Sequence, residues 1–262
     1  MTDESMDPKR QLAFDGASNL RDLGGYTTTD GRQTRWRQFV RSATLNGISE
    51  KGQRDLIDYG VGAIIDLRAP SFLETSPNIF AKSDEIAFHH HDFWGDRLKG
   101  FKTSPAPQGQ AEKLADLYCA GLDKCSGVIV EILTTMTQGD HTTVFHCGAG
   151  KDRTGIIAAM LLGLAGVPHD TVAADFALTD RYLEDPNRNH TETDPLTILP
   201  NANGDLFPVY MYSCLPQTML LSLKYLDENY GGIEGYLQHS GLSTQHIKRL
   251  RRQMPEEGHP WI

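Results

Sequence analysis

The chain has 262 residues, a formal net charge of −9 and cysteines only at positions 119, 125, 147 and 214. That length suits one large domain or two small ones, and such a chain buries about 70–75% of its unfolded surface, so it folds without disulfides or a structural metal. The acidic balance argues against general nucleic-acid binding, and the unpaired cysteine spacing, without a C-x-x-C, reads as reduced thiols. Met1 to Arg10 lacks the apolar core of a signal peptide, and the apolar run Ile156 to Val167 is too short and glycine-rich to span a bilayer. A cytoplasmic globular protein is expected, with export by an unconventional route left open.

No repeat or linker divides the chain, which reads as one domain over residues 12–254 behind a flexible N-terminus, residues 1–11. Trp36 to Val40 reads as a strand from its aromatic and β-branched residues. Ser49 to Tyr59 reads as a helix with Ser49 as N-cap and Gly60 as its stop. Val61 to Leu67 has the composition of a strand buried on both faces, and Ile86 to His91 that of a further short strand. Arg97 to Gln110, rich in Gly, Pro, Ser and Gln, reads as a surface loop. Helical spacing with glycine boundaries follows over Ala111 to Gly121 and Gly127 to Met136, then a strand over Thr142 to Phe145 and helices over Thr154 to Leu164 and Pro168 to Thr179. Pro, Asn, Asp and Gly accumulate over residues 185–212, ending in the apolar cluster Leu206 to Tyr212, which is either a packing patch or the apolar face of a lid; residues 181–214 read as a lid or an insertion within the domain. An amphipathic helix over Leu215 to Asn229 that ends at Gly231-Gly232, and a last one over Ser243 to Met254 with Ser243 as its cap, close the chain. Alternating strands and helices predict an α/β fold: a mainly parallel central sheet flanked by helices, with ligands bound at the carboxyl ends of the strands.

The densest chemical signal is Val144-Phe-His-Cys-Gly-Ala-Gly-Lys-Asp-Arg-Thr-Gly155, where Cys147 and Arg153 stand six residues apart around a glycine-rich turn between strand and helix. Covalent cleavage of a phosphate monoester needs that arrangement: a thiolate to attack phosphorus, backbone N–H groups around the equatorial oxygens, and a guanidinium gripping two of them. Gly148, Ala149 and Gly150 carry little or no side chain to block the backbone from an anion. The positive end of the following helix favours both the anion and a thiolate at Cys147. Gly150-Lys151 also suggests the nucleotide-binding loop G-x-x-x-x-G-K-[ST], but Phe145 and Asp152 stand where that motif needs glycine and Ser or Thr.

The segment His146 to Gly155 resembles the signature of the cysteine-dependent protein tyrosine phosphatase superfamily, in the version of its atypical microbial branch of tyrosine/serine phosphatases. Asn19-Leu-Arg-Asp-Leu-Gly-Gly25, Arg41-Ser42, Ile65-Asp-Leu-Arg68 and Tyr230-Gly-Gly-Ile-Glu-Gly-Tyr-Leu237 resemble further motifs of that family, so the likeness spans roughly residues 14–253. It implies a tyrosine-phosphatase-like fold acting on phosphotyrosine, with phosphoserine/threonine and phosphoinositides as further substrates, and it strengthens the lid reading. It also marks Asp152 as characteristic of the branch and close to the leaving group, and places Asp92 about where another candidate acid stands.

Read on their own chemistry, the catalytic candidates are Cys147, Arg153, Asp152 and Asp92, the substrate-binding ones Gly148, Ala149, Gly150, Lys151 and Thr154. A proton donor helps an alkoxide or phenolate to leave. Asp152 lies within the loop itself, whereas Asp92 follows a strand and serves equally well as a strand-end cap. Lys151 can reach a second anionic group or be a solvated loop lysine; Thr154 can donate to the Cys147 sulfur or be an ordinary first-turn residue. His146 reads as tuning the loop through a hydrogen bond, Asp66 as orienting Arg68 or the loop, and Asp22 as pairing with Arg21 or a turn N–H. His89-His90-His91 invites a metal reading, but no further ligands complete it, so no metal or cofactor is implied. A catalytically silent phosphate-binding module and a sulfurtransferase or arsenate reductase are the competing functions; oligomeric state is not legible.

Overall fold

The structure is a computed structural model that describes residues 7–104, 108–183, 198–200 and 206–254. Its sheet is built from β1 (Arg21–Asp22), β2 (Phe39–Ser42), β3 (Val61–Asp66), β4 (Ala87–His90) and β5 (Thr142–His146), in the order β1-β2-β5-β3-β4. The pairs β2–β5, β5–β3 and β3–β4 are parallel, and only β1 is antiparallel to its neighbour. The fold is thus the expected single-domain α/β arrangement. Register places Ser42 and Asp66 on either side of His146, so the carboxyl ends of three strands converge where the glycine-rich turn begins.

β2, β3 and β5 are buried on both faces, and their alternation assigns residues to two cores. Phe39, Ile65 and Phe145 enter the larger core with the helices α3 (Gln110–Lys124), α4 (Ser126–Met136), α5 (Asp152–Leu164), α6 (His169–Ala177), α8 (Pro216–Tyr230), α9 (Ile233–His239) and α10 (Thr244–Gln253). Val40, Ile64 and Val144 enter the smaller one with Leu56 of α1 (Glu50–Tyr59). Two short helices, α2 (Pro70–Thr75) and α7 (Thr179–Tyr182), an antiparallel pair, β6 (Ile198–Pro200) with β7 (Leu206–Pro208), and a 3-10 turn at Val209–Tyr212 complete the elements of the described residues.

Caps explain several boundaries. Ser49 Oγ accepts the Gly52 N–H at 3.2 Å and Ser243 Oγ the His246 N–H at 3.2 Å, as the cap readings expected. Gly60 (φ 97°) and Gly231 (φ 72°) end α1 and α8 in the left-handed region. Other expectations need correction. The strand expected over Trp36 to Val40 runs Phe39–Ser42, because Arg37 turns the chain at φ 59° and Trp36 packs against Gly24 and Gly25. Gly121 does not stop α3: a Cβ there would lie 2.4 Å from the Trp94 ring, so glycine serves close packing within the helix. The helix expected from Thr154 begins at Asp152, and the one expected to reach Thr179 breaks after Ala177. Arg10 and Gln11, expected in a flexible N-terminus, belong to the domain: Arg10 is fully buried over the Tyr26 ring, 3.5 Å from its centroid, and Gln11 bridges to Arg21. Of the suggested lid, residues 184–197 and 201–205 lie outside the described residues.

One buried cluster joins β1, β2 and α6. Asp175 Oδ1 accepts from Arg21 Nε at 3.0 Å and from the Tyr26 hydroxyl at 2.9 Å, while Oδ2 accepts from Arg41 Nη1 at 2.5 Å. Burial alone would raise the Asp175 carboxyl, but Arg21 and Arg41 outweigh it and hold it well below the usual carboxylate range. Removing the carboxylate strands two guanidinium groups, so Asp175→Asn is expected to cost about 3–5 kcal/mol in denaturant melts at neutral pH. A depressed pKa stabilises above the unfolded value, roughly 3.9, and that contribution fades as the pH falls below it. The gap between parent and variant should therefore narrow in acid; a gap independent of pH would mean the carboxylate charge is not what stabilises.

Candidate active site

The turn between β5 and α5 follows directly from strand register and outward hydrogen bonds. From His146 to Lys151 every backbone carbonyl has a donor. His146 O accepts from Leu67 N–H at 2.8 Å, Gly148 O from Thr44 N–H at 2.8 Å, and Lys151 O from Gly155 N–H at 2.7 Å. Cys147 O is 3.0 Å from His146 Nδ1. Asn19 Nδ2 donates to Ala149 O at 2.9 Å and Gly150 O at 3.2 Å, and Arg41 Nη2 donates to Gly150 O at 2.8 Å. With the carbonyls held outward, the N–H groups of Gly148, Ala149, Gly150 and Lys151 find no acceptor among the described residues. A ring of unpaired donors is an anion site. Gly150 is required twice over: its φ is 68°, and a Cβ would lie 2.3 Å from Ser42 O.

Cys147 is buried at the base of this turn, and α5 points its N-terminus at the same place. Arg153, in the first turn of α5, donates Nη1 to Leu67 O at 3.3 Å, and a Cβ on Gly148 would lie 3.9 Å from its Nη2, so the guanidinium lies against the turn. Arg153 Nε and the Thr154 hydroxyl are both buried without a hydrogen-bond partner among the described residues. Such orphans, in the first turn of the helix that follows these unpaired N–H groups, are what a bound oxyanion would satisfy.

His146 is fully buried, and burial pushes its imidazole down despite the pull of Asp66, so the ring is neutral. Its neighbours select the tautomer: Nδ1 donates to Cys147 O, and Nε2 accepts from Asn78 Nδ2 at 2.8 Å. Asp66 orients Arg68, accepting Nη2 at 2.7 Å and Nε at 3.0 Å. Burial would raise the Asp66 carboxyl, but Arg68 holds it below its ordinary value. Asp22 accepts the turn N–H groups of Gly24 at 2.6 Å and Arg37 at 2.9 Å, while Arg21 turns to Asp175.

The two acid candidates occupy different settings. Asp152 Oδ1 accepts from the Tyr118 hydroxyl at 2.7 Å and lies 2.9 Å from Lys151 Nζ. Asp92 Oδ1 accepts the Gly95 N–H at 3.0 Å, and its carbonyl accepts from Arg97, so its described hydrogen bonds lie in the turn after β4. Lys151 is buried and not a solvated loop lysine. Its Nζ donates to Met211 O at 2.7 Å and Ser213 O at 3.1 Å besides Asp152, which ties the turn to the segment following β7. Burial would lower the Lys151 ammonium, but Asp152 pushes it above its ordinary value. The histidine run disperses: His90 Nε2 lies 2.8 Å from Arg68 O, and His91 Nε2 3.1 Å from Thr135 Oγ1. Among the described residues no cluster of three or more His, Cys, Asp and Glu side chains is arranged to hold a metal.

Several supports escaped sequence reading. Asn19 stands in a quoted motif, but nothing there shows that it takes φ 53° and aims its amide at the turn. Asp175 carried a signal, a carboxylate on the same helix face as Val172 and Phe176; Tyr118 likewise sits among the apolar positions Leu114, Leu117 and Leu122.

A model described as the tyrosine phosphatase family matches residues 12–256. Over 233 residues, 84% of this chain and 75% of the relative, the sequence is 29% identical to a tyrosine-protein phosphatase of Nostoc commune. Over 130 residues, 45% of this chain and 46% of the relative, it is 27% identical to the triple specificity protein phosphatase PtpB of Mycobacterium tuberculosis.

The carbonyl tethers make a testable demand. Asn19→Asp keeps a residue type that tolerates a left-handed backbone but replaces the donor with an acceptor facing two carbonyls. Calorimetric titration with inorganic phosphate should show binding weakened by roughly tenfold or more, about 1.4 kcal/mol or greater. Unchanged affinity in a folded variant would show that the turn keeps its shape without Asn19.

Proposed function

This chain belongs to the tyrosine phosphatase family, and from that membership we propose that it hydrolyses phosphate monoesters through a phosphocysteine at Cys147. The observation that carries the reading is the outward tethering of six successive carbonyls, which leaves the N–H groups of the turn that follows buried Cys147 unpaired; Arg153 Nε and the Thr154 hydroxyl, at the start of α5, are also without partners among the described residues.

In the first step the Cys147 thiolate attacks phosphorus, the S–P bond forms and the ester P–O bond breaks. The equatorial oxygens are held by the N–H groups of Gly148, Ala149 and Gly150 and by the Arg153 fork, whose grip tightens as charge develops. Asp152 protonates the leaving oxygen. It then takes a proton from water as that water attacks the phosphocysteine and the sulfur leaves as thiolate. Thr154 donates to the departing sulfur. Asp152 is favoured over Asp92 because it is fixed to the turn itself, beside Arg153, whereas Asp92 bonds within its own turn.

Phosphotyrosine is the first substrate class, with phosphoserine/threonine and phosphoinositides as wider scope; the name of the mycobacterial relative supports breadth. Lys151, held between Asp152 and the carbonyls of Met211 and Ser213, contributes positive potential for a second anionic group on the substrate. Met211 and Ser213 belong to the stretch 181–214 read as a lid or an insertion, of which residues 184–197 and 201–205 lie outside the described residues. We place the activity in the cytoplasm on the reduced-thiol reading; among the described residues no helix is long and apolar enough to cross a membrane.

Cys147→Ser should abolish turnover of a phosphotyrosine peptide while retaining the fold and phosphate binding, and rapid quenching of the parent should trap phosphate on Cys147. Activity within tenfold of the parent, or phosphate trapped at another residue, would end the covalent scheme. Arg153→Lys should lower kcat more than it raises KM, since the charge survives but the two-point grip does not. The parent should turn over p-nitrophenyl phosphate and not thiosulfate; the reverse would favour a sulfurtransferase.

For the acid, a phenolate leaves readily whereas an alkoxide needs its proton. Asp152→Asn should therefore reduce turnover of alkyl phosphates far more than of p-nitrophenyl phosphate, by roughly a hundredfold on the former. Asp92→Asn should show a smaller selective loss. If Asp92→Asn alone removes the limb of the pH–rate profile assigned to the acid, the two roles exchange.

A further inference from the structure

Tyr118 lies on α3, away in sequence from the catalytic turn, and its ring is wholly buried, edge-on to Phe176 with centroids 6.0 Å apart. Its hydroxyl nevertheless reaches the turn, donating to Asp152 Oδ1 at 2.7 Å. Burial, and after it the negative charge of Asp152, pushes that hydroxyl well above its ordinary value, so it is always a donor. Lys151 Nζ addresses the same oxygen from 2.9 Å. Two donors on Oδ1 leave Oδ2 as the oxygen on which a proton can reside, since a protonated Oδ1 would face an O–H and an ammonium.

We propose that Tyr118 is a positioning residue for acid–base catalysis: it fixes the rotation of the Asp152 carboxyl so that Oδ2 carries the proton exchanged with the leaving group. This rests on the reading of Asp152 as the general acid. In the first step the proton passes from Oδ2 to the ester oxygen as the P–O bond breaks and the S–P bond forms. In the second, Oδ2 takes a proton from water as the new P–O bond forms and the S–P bond breaks. Tyr118 and Lys151 exchange no proton in either step. Their hydrogen bonds to Oδ1 keep the carboxyl from turning and stabilise its charged form between the two.

The experiment compares Tyr118→Phe with Asp152→Asn and the parent, on p-nitrophenyl phosphate and on an alkyl phosphate that the parent turns over, with kcat and KM measured across pH. Phenylalanine keeps the ring and its contact with Phe176, and circular dichroism verifies that the variant is folded. Tyr118→Phe should lower kcat on the alkyl ester about tenfold, a part of what general acid catalysis supplies, and on the aryl ester by less than about twofold, with KM unchanged. Its basic limb should move to higher pH, because a carboxyl that has lost a donor to its anion keeps its proton longer. If Asp152→Asn shows the alkyl-selective loss and Tyr118→Phe behaves as the parent, the positioning role is overturned while the acid reading stands. Equal losses on both esters with an unmoved limb would make Tyr118 a packing residue only. If Asp152→Asn itself shows no selectivity, the acid reading falls and the role of Tyr118 falls with it.

Discussion

The site depends on one buried carboxylate. Asp175 accepts from Arg21, Arg41 and Tyr26, all fully buried, and through them locks α6 to two strands of the sheet. Arg41 uses its other nitrogen on the Gly150 carbonyl, and Arg21 donates to the Asn19 side chain, whose amide holds Ala149 and Gly150. The carboxylate thus sets the direction of two carbonyls it never touches. A buried ion cluster is a poor source of net stability, because desolvation offsets much of the attraction. What it provides here is direction: a guanidinium anchored at one end can present N–H at the other with little freedom.

That direction matters because a peptide group has two ends. Turning a carbonyl out turns the adjoining N–H in, and a turn whose donors already face one point needs little reorganisation when charge develops there. The tethers come from separate parts of the chain: Thr44 after β2, Leu67 after β3, Asn19 before β1 and the ring of His146 itself. The parallel register brings them together, since Ser42, His146 and Asp66 stand abreast at the strand ends. The sheet therefore shapes the candidate site and does not only support it.

How much of this was legible from sequence divides along the range of the interactions. Elements governed by local rules were readable: Ser49 to Gly60, the buried strand Val61–Asp66, the strand that delivers Cys147, and α8 with its glycine stop. So was the placement of the turn between β5 and α5, because its motif lies within ten consecutive residues. Errors arose where a residue type had two meanings. Gly121 looked like a helix stop and is a packing contact for Trp94; Trp36 looked like strand and packs in a turn. The supports of the turn were hidden for a different reason. Asn19, Tyr118 and Asp175 act across 130, 34 and 134 residues of sequence, and nothing near them announces a partner. The positive φ of Asn19 is likewise set by what its amide must reach.

The charges around the turn favour the phosphate substrate proposed above even though the protein as a whole is acidic. Each carboxylate near the site is already committed: Asp66 to Arg68, Asp152 to Lys151, and Asp175 to both Arg21 and Arg41. Because Asp175 serves two guanidinium groups, that cluster retains one positive charge. Arg153 adds a second, since among the described residues no carboxylate lies within ion-pair distance of it. His146 is neutral and adds none. In the reacting state proposed above, a protonated Asp152 no longer cancels Lys151 and the Cys147 thiolate does, so the surplus is two positive charges within a protein of net charge −9, the charge a phosphate dianion would neutralise. Fully paired cations would leave the anion nothing to neutralise, and wholly unpaired ones would be costly to bury; sharing one carboxylate between two arginines lies between those limits.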